Sequence, residues 1–287
     1  QGLFASNEHA QPWLDEGINE WADGHVMHRI WGERTSMVDW GGFVAEMYEL
    51  RRALELGSAN VAAPIASAAR AYADFDSYGT AVYTRAMQAL RTLERVVGRE
   101  RFLAAMKTYA ERFSFRHPTS RDLFALWQEQ FGDVSWFIQP ALYGVDQVAL
   151  RIAEVSCQDK TKPRGVFGDG EARTMVDHKA AREPGHRCRV VVENTGVPVP
   201  VDVVMRFADG TELRERWDHR GGGTWTVFEF DRSSELTEVE IDPNREVALV
   251  NSRIDLHMRV KPDTRAAWRA GARVSFWGQT AMSLVGL

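Results

Sequence analysis

Apolar residues in the first half of the chain recur every three or four positions, which is the spacing of an amphipathic helix. Residues 78–97 show this pattern clearly, and Gly98 follows them as a stop signal. The same spacing predicts further helices over residues 16–30, 42–56 and 99–113, and from Thr119 to Gly132. The first half of the chain is therefore predicted to be helical.

The pattern changes near residue 148, where short alternating or β-branched runs replace the long apolar stripes. Turn signals such as Asp209-Gly210 and the three glycines 221–223 separate these runs. The runs predicted as strands are 148–157, 187–193, 199–207, 211–217, 224–230, 236–241 and 247–250. Short strands with regular turns predict a β-sandwich, and the polar residues 158–186 are predicted to form a long loop.

The last residues of the chain combine arginines with aromatic side chains. Arg265, Arg269 and Arg273 alternate with apolar residues such as Trp268 and Phe276. This pattern predicts a basic amphipathic helix, which either packs against the body of the protein or makes a peripheral membrane contact.

The whole chain is therefore predicted to be an α+β multidomain protein with three parts. Residues 1–147 form a helical lobe, residues 148–254 a β-sandwich, and residues 255–287 a basic amphipathic tail helix.

Composition narrows the function classes. The chain has 287 residues, 44% of them hydrophobic, and a net charge of -5, which is ordinary for a globular protein. The mild acidity and the lack of a basic stripe argue against nucleic-acid binding. The chain opens on Gln1 without a methionine or a signal-peptide pattern, so we expect it to be a piece of a longer protein.

The two cysteines, Cys157 and Cys188, are too few and too far apart for a Cys-x-x-Cys zinc site. They are either inert buried thiols or, in an exported protein, a disulfide between neighbouring strands. The sequence leaves both alternatives open, and it leaves the compartment undetermined.

Residues near the start of the chain carry candidate metal ligands. His25 and His28 are one turn apart on a predicted helix, but they point about 180° and about 120° away from Glu16 at 100° per residue. The three side chains therefore cannot converge on one ion. Glu20 shares the face of Glu16, where it is either a solvated acid or a partner of the metal ligand.

The stretch NEHAQPWLDEGINEW, residues 7–21, resembles a known metal-binding segment. Trp13-Leu14-Asp15-Glu16-Gly17-Ile18 is similar to the third-ligand segment of the gluzincin metallopeptidases of the alanyl aminopeptidase and leukotriene hydrolase family. The resemblance implies that Glu16 is a zinc ligand and that residues 1–147 form the C-terminal lobe of a thermolysin-like peptidase domain. A β-sandwich after that lobe also resembles the family.

A second landmark of the resemblance is Tyr83, which lies 67 residues after Glu16 in Val82-Tyr83-Thr84-Arg85-Ala86. The family carries a catalytic tyrosine at the start of a helix, often as Tyr-x-Lys-Gly-Ala, whose hydroxyl stabilises the oxyanion of the tetrahedral intermediate. Here Arg85 replaces the lysine and Ala86 the glycine. Tyr78 is the alternative candidate.

The rest of the implied site is not in this sequence. Such a zinc has two histidine ligands from a His-Glu-x-x-His helix, whose glutamate is the general base. None of the eight histidines opens that motif, and the family spacing places it upstream of Gln1.

The sequence therefore predicts the C-terminal part of a zinc aminopeptidase-like hydrolase that acts on peptide substrates. The missing N-terminal part of the same protein is an expected partner, and this piece alone is expected to be inactive. One alternative is a non-catalytic binding or scaffold relative with the same fold. The other is an interaction module with a chance match at Glu16.

Overall fold

The structure is a computed structural model that describes most of the chain. It covers residues 2–41, 43–55, 63–161, 165–176 and 182–260, and in the tail residues 268, 271–273, 275–277, 279–280 and 282. Helices before residue 147 and antiparallel sheets after it make the protein α+β, as predicted.

The helical region contains seven α-helices among the described residues. They are α1 (Trp13–Trp31), α2 (Met47–Glu55), α3 (Phe75–Gly79), α4 (Ala86–Val97), α5 (Arg99–Phe113), α6 (Ser120–Phe131) and α7 (Ser135–Ile138). Two π-helical segments, Thr80–Arg85 and Gln139–Tyr143, follow α3 and α7 directly. The helices predicted from the apolar periodicity are confirmed, with α6 capped by reciprocal hydrogen bonds between Thr119 and Asp122.

One predicted helix is wrong at its start. Residues 42–56 were expected to be helical throughout, but β1 (Val38–Trp40) pairs with β2 (Phe43–Ala45) before α2 begins. Gly41 has a positive φ of 58°, a conformation that favours glycine in tight turns. The turn therefore overrides the helical spacing at this point.

Two larger antiparallel sheets and one small hairpin form the β region. Its strands are β3 (Leu150–Thr161), β4 (Gly165–Phe167), β5 (Thr174–Val176), β6 (Arg182–Asn194), β7 (Val201–Phe207), β8 (Glu212–Trp217), β9 (Trp225–Arg232), β10 (Leu236–Ile241) and β11 (His257–Arg259). One sheet has the order β3-β6-β9 and the other β11-β10-β7-β8. Phe207 of β7 meets Phe230 of β9 with ring centroids 5.7 Å apart, so the two sheets share an apolar core.

Two details of the predicted β region are wrong. The loop expected over 158–186 is shorter, because β3 runs to Thr161, β6 starts at Arg182, and β4 and β5 form a small hairpin between them. The run 247–250 is not a strand and contributes only a bridge from Val250 to Val148. Its residues are buried by packing against the helical region instead.

The start of the predicted tail helix is also wrong. Residues 257–259, which the sequence assigned to that helix, form β11 and pair with β10. Arg265 and Arg269 lie outside the described residues. The described residues from 268 to 282 are helical, and in the described part of the chain no helix has the length and apolar character to cross a membrane.

Cys157 and Cys188 face each other across β3 and β6 and form a disulfide. Of the two alternatives left open by the sequence, the structure contains the cross-strand bond. The bond closes a loop with a sequence separation of 31 residues.

The helical and β regions contact each other through specific bonds. The buried Thr92 hydroxyl of α4 accepts the backbone N–H of Leu249 at 2.9 Å. Arg253 forms ion pairs with Glu49 of α2, at 2.5 Å, and with Asp242, at 3.2 Å. These contacts hold the turn after β10 against α2 and α4.

Candidate metal and catalytic site

The first turn of α1 carries Glu16, and α6 fixes that turn in place. Trp13 is fully buried, and its indole N–H donates to the Ser120 hydroxyl at 3.1 Å. Its ring also stacks on Phe124 at a centroid distance of 5.9 Å. Asp15 and Glu16 lie at the positive end of the helix dipole, which favours carboxylates.

Gly17 allows the π-helical segment to approach α1 closely. A Cβ atom at this position would lie 2.5 Å from the Ala86 Cβ and 3.2 Å from the Val82 carbonyl oxygen. Any larger residue would push the two elements apart. The glycine next to Glu16 therefore sets the distance to the segment that contains Tyr83.

The Tyr83 phenol lies close enough to the Glu16 carboxylate for the two groups to interact. Burial raises the pKa of the Tyr83 phenol, and the neighbouring Glu16 carboxylate raises it further. Both side chains are only partly buried. The structure thus brings together the two residues singled out in the sequence.

Tyr78, the alternative candidate, lies beside Tyr83. Their ring centroids are 6.2 Å apart, and Tyr78 also packs edge-on against Tyr72 at 5.4 Å. Burial raises the pKa of Tyr78, and the nearby Glu16 charge adds to this. Tyr78 therefore belongs to the wall of the same site, with its ring beside that of Tyr83.

The neighbouring carboxylates of α1 have other partners. Asp15 accepts a hydrogen bond from the Asn19 amide at 3.0 Å, and Glu20 pairs with Arg51 of α2 at 3.0 Å. Burial raises the pKa of Glu20, although the Arg51 charge opposes this. Among the residues that the structure describes, Glu16 has no cationic partner, which leaves its carboxylate suited to a metal ion.

The histidine pair lies away from this site. A single helix spans Glu16, His25 and His28, as predicted. His25 lies 2.9 Å from Glu94, and His28 packs edge-on against Tyr48. Within the described ranges, no group of three or more histidine, cysteine or acidic side chains could hold a metal ion. Glu16 therefore does not belong to such a group among the described residues.

A buried ion network on α1 and α4 was not predicted from the sequence. The Glu94 side chain is fully buried and accepts hydrogen bonds from the Trp21 indole and from His25, both at 2.9 Å. Arg91 reaches its other oxygen at 3.0 Å. Burial would raise the pKa of Glu94, but these donors lower it to about 2.

No local signal could have revealed that network. Trp21 and Glu94 are separated by 73 positions, and each alone looks like an ordinary helical residue. Only the packing of α1 on α4 brings them together.

A cavity of about 750 Å³ lies beyond the other end of α1. Its walls include Glu33, Arg34, Val44 and Arg91 from the helical region and Arg245 from the turn after β10. Fifteen helical residues, about 23 Å at 1.5 Å per residue, separate Glu16 from the end of α1 at Trp31. This cavity is therefore distinct from the site around Glu16.

Comparison with known proteins agrees with the resemblance found in the sequence. Residues 4–140 match the peptidase family M1 domain. Among solved structures, aminopeptidase A of Legionella pneumophila, in complex with aspartic acid, is similar with a TM-score of 0.55 at 13% sequence identity. That match covers 86% of this chain and 24% of the aminopeptidase, so the chain spans about a quarter of its length. Curated protein sequences give no significant match. The similarity to the peptidase family M1 domain thus spans the helical region that carries Glu16 and Tyr83.

Proposed function

We propose that this chain is the C-terminal part of a zinc-dependent aminopeptidase that hydrolyses the peptide bond next to a free amino end. The observation that carries the proposal is the proximity of the Glu16 carboxylate to the Tyr83 phenol, within residues 4–140 that match the M1 domain. A carboxylate and a phenol held together on adjoining helical elements are what acyl-transfer chemistry at a metal needs.

Glu16 would be the carboxylate ligand of the zinc. Catalytic zinc takes three protein ligands and leaves a fourth position open, and it lowers the pKa of bound water and polarises a carbonyl. The partly exposed carboxylate of Glu16, without a cationic partner among the described residues, fits this role. The two histidine ligands and the general base would come from residues that precede Gln1.

Tyr83 would stabilise the tetrahedral intermediate. A phenol with a raised pKa stays protonated at neutral pH, so it can donate a hydrogen bond to an oxyanion that develops nearby. Tyr78 would pack behind it and limit its movement. Such a donor contributes about 10²–10³ in kcat in other acyl-transfer enzymes.

These assignments imply that the isolated chain is inactive. The sequence contains no His-Glu-x-x-His motif, which would supply the two histidine ligands and the general base. Zinc-dependent aminopeptidase turnover by these 287 residues alone would contradict the proposal.

The test uses the full-length protein that contains this chain. Glu16→Gln should lower bound zinc, measured by elemental analysis, and abolish hydrolysis of an aminoacyl anilide. Glu20→Gln is the matched control, because Glu20 lies on the same face of α1 but pairs with Arg51. Unchanged zinc content in Glu16→Gln would remove Glu16 from the ligand set.

The role of Tyr83 is tested separately. Tyr83→Phe should lower kcat by about 10²–10³ while KM and zinc content change little, and Tyr78→Phe should keep most of the activity. A full-length protein that binds no zinc and hydrolyses no peptide would instead favour a non-catalytic relative with the same fold.

A further inference from the structure

The β1–β2 hairpin exposes two large aromatic side chains to solvent. Trp40 and Phe43 are paired across the hairpin, and their exposed fractions are 73% and 57%. Side chains alternate between the faces of a strand, so the charged Asp39 points to the opposite face. Paired exposed aromatic residues of this kind mark an interaction surface.

The tail extends this apolar surface. The Trp277 ring lies 6.2 Å from the Phe43 ring, although the two residues are far apart in sequence. Phe276 stacks edge-on against Trp277, and both remain exposed, at 61% and 45%. We refer to Trp40, Phe43, Phe276 and Trp277 as the aromatic patch. Trp277 contacts the rings of Phe43 and Phe276, yet all four side chains of the patch remain exposed.

Positive charge lies beside the aromatic patch. Arg273 is exposed one helical turn before Trp277. After Asp263, the sequence has three arginines and no acidic residue up to Leu287.

This combination matches the chemistry of a lipid surface. Tryptophan is enriched where a protein meets the boundary between acyl chains and headgroups, and arginines are attracted to anionic headgroups. Since no described helix could cross a membrane, the contact would be peripheral.

We propose that the aromatic patch and the neighbouring Arg273 form a docking surface for a membrane that contains anionic lipids. Trp40 and Phe43 of the hairpin enter the interface together with Trp277 of the tail, and Arg273 contacts lipid phosphates. This inference adds the hairpin to the membrane contact expected from the tail alone. It does not depend on the proposed peptidase activity.

The experiment is vesicle co-sedimentation of the full-length protein. We compare vesicles of phosphatidylcholine alone with vesicles that also contain phosphatidylglycerol. The wild type should bind the anionic vesicles more tightly, and added salt should weaken this binding. The double substitution Trp40→Ser/Phe43→Ser should weaken it about tenfold or more, because affinity scales with the apolar area that enters the interface.

Two further variants separate the contributions. Arg273→Glu should lower binding to anionic vesicles about fivefold or more and leave binding to neutral vesicles unchanged. Trp225→Ser is the matched control, because Trp225 is also 61% exposed but lies on β9, away from the patch. Unchanged urea unfolding midpoints would show that each variant still folds.

Two results would overturn the proposal. One is a wild type that binds neither kind of vesicle, and the other is a Trp40→Ser/Phe43→Ser variant that binds as well as the wild type. If the double substitution instead changes the oligomeric state without vesicles and the wild type binds no lipid, the patch is a protein–protein interface.

Discussion

Replacing Glu94 by glutamine tests how strongly the buried ion network holds α1 in place. The two carboxylate oxygens of Glu94 have different partners: Oε2 accepts from Trp21 and His25, and Oε1 accepts from Arg91. A glutamine has one acceptor oxygen and one NH2 group. If its oxygen keeps the first two donors, its NH2 group faces the Arg91 guanidinium, and two donors then oppose each other.

The pKa of Glu94 gives the size of the expected effect. The donors lower it from an ordinary value of 4.5 to about 2, and one pKa unit corresponds to about 1.4 kcal/mol. The charged form of Glu94 therefore contributes about 3 kcal/mol to the free energy of unfolding at neutral pH. This agrees with the 3–5 kcal/mol typical for removal of one partner of a buried ion pair.

The same numbers predict the pH dependence. Because the folded-state pKa is lowered, the unfolded state binds more protons between pH 4.5 and 2, and the contribution is lost as the pH falls through this window. At pH 3 it should have decreased to about 1.5 kcal/mol. Urea unfolding of the wild type and Glu94→Gln at pH 7, 4 and 3 measures both the difference and its decrease.

Glu129→Gln is the matched control, since Glu129 also forms a bonded pair with an arginine, Arg112, but on the surface. Solvent-exposed pairs contribute little, so this variant should unfold almost as the wild type does. If Glu94→Gln is no less stable than Glu129→Gln at pH 7, or if the difference does not decrease with pH, the reasoning about the network is refuted.

Three further predictions concern packing, protonation and cross-linking. Gly17→Ala should lower the unfolding free energy by about 1–3 kcal/mol, because its Cβ would lie 2.5 Å from that of Ala86. Ala86→Gly, added to Gly17→Ala, should recover part of this loss in thermal unfolding. No loss of stability in Gly17→Ala would refute the close contact. Burial, with the nearby arginines, lowers the pKa of His28 to about 4, so the free energy of unfolding should fall as the pH drops from 6.5 to 4. His28→Phe should flatten this part of the pH profile of stability. An unchanged profile would contradict the lowered pKa of His28. Replacing Cys157 and Cys188 by alanine should lower the free energy of unfolding by about 3–4 kcal/mol, because the disulfide closes a loop with a separation of 31 residues. A urea unfolding midpoint equal to that of the wild type would show that the disulfide constrains the unfolded chain little.

The local pattern of apolar and polar residues was sufficient to predict most helices and strands. The bounds of α5 and β10 agree closely with the predicted ranges 99–113 and 236–241, because one apolar face determines a helix or strand wherever it packs. The errors occur where turn chemistry or tertiary pairing decides. Gly41 turns the chain before α2, and β11 pairs with β10 although its sequence continues into a basic tail.

Only part of the candidate site could be predicted from the sequence. Glu16 and Tyr83 were named through a resemblance to a family, and neither residue has a local pattern that would reveal its partner. Their proximity depends on the contact between α1 and the π-helical segment Thr80–Arg85. Their roles in zinc binding and catalysis stay predictions.

Two glycines inside α1 show why the position of Glu16 depends on distant residues. Each costs about 1 kcal/mol of helix propensity relative to alanine, yet both make contacts that a side chain would prevent. A Cβ on Gly17 would clash with Ala86, and one on Gly24 would lie 2.4 Å from the Tyr48 hydroxyl. The stability of α1 must therefore come from contacts with neighbouring elements more than from its own sequence. Glu94 makes a main contribution, because it accepts hydrogen bonds from Trp21 and His25 in the middle of the helix. Glu94, which would not contact the proposed metal, should consequently influence the position of Glu16.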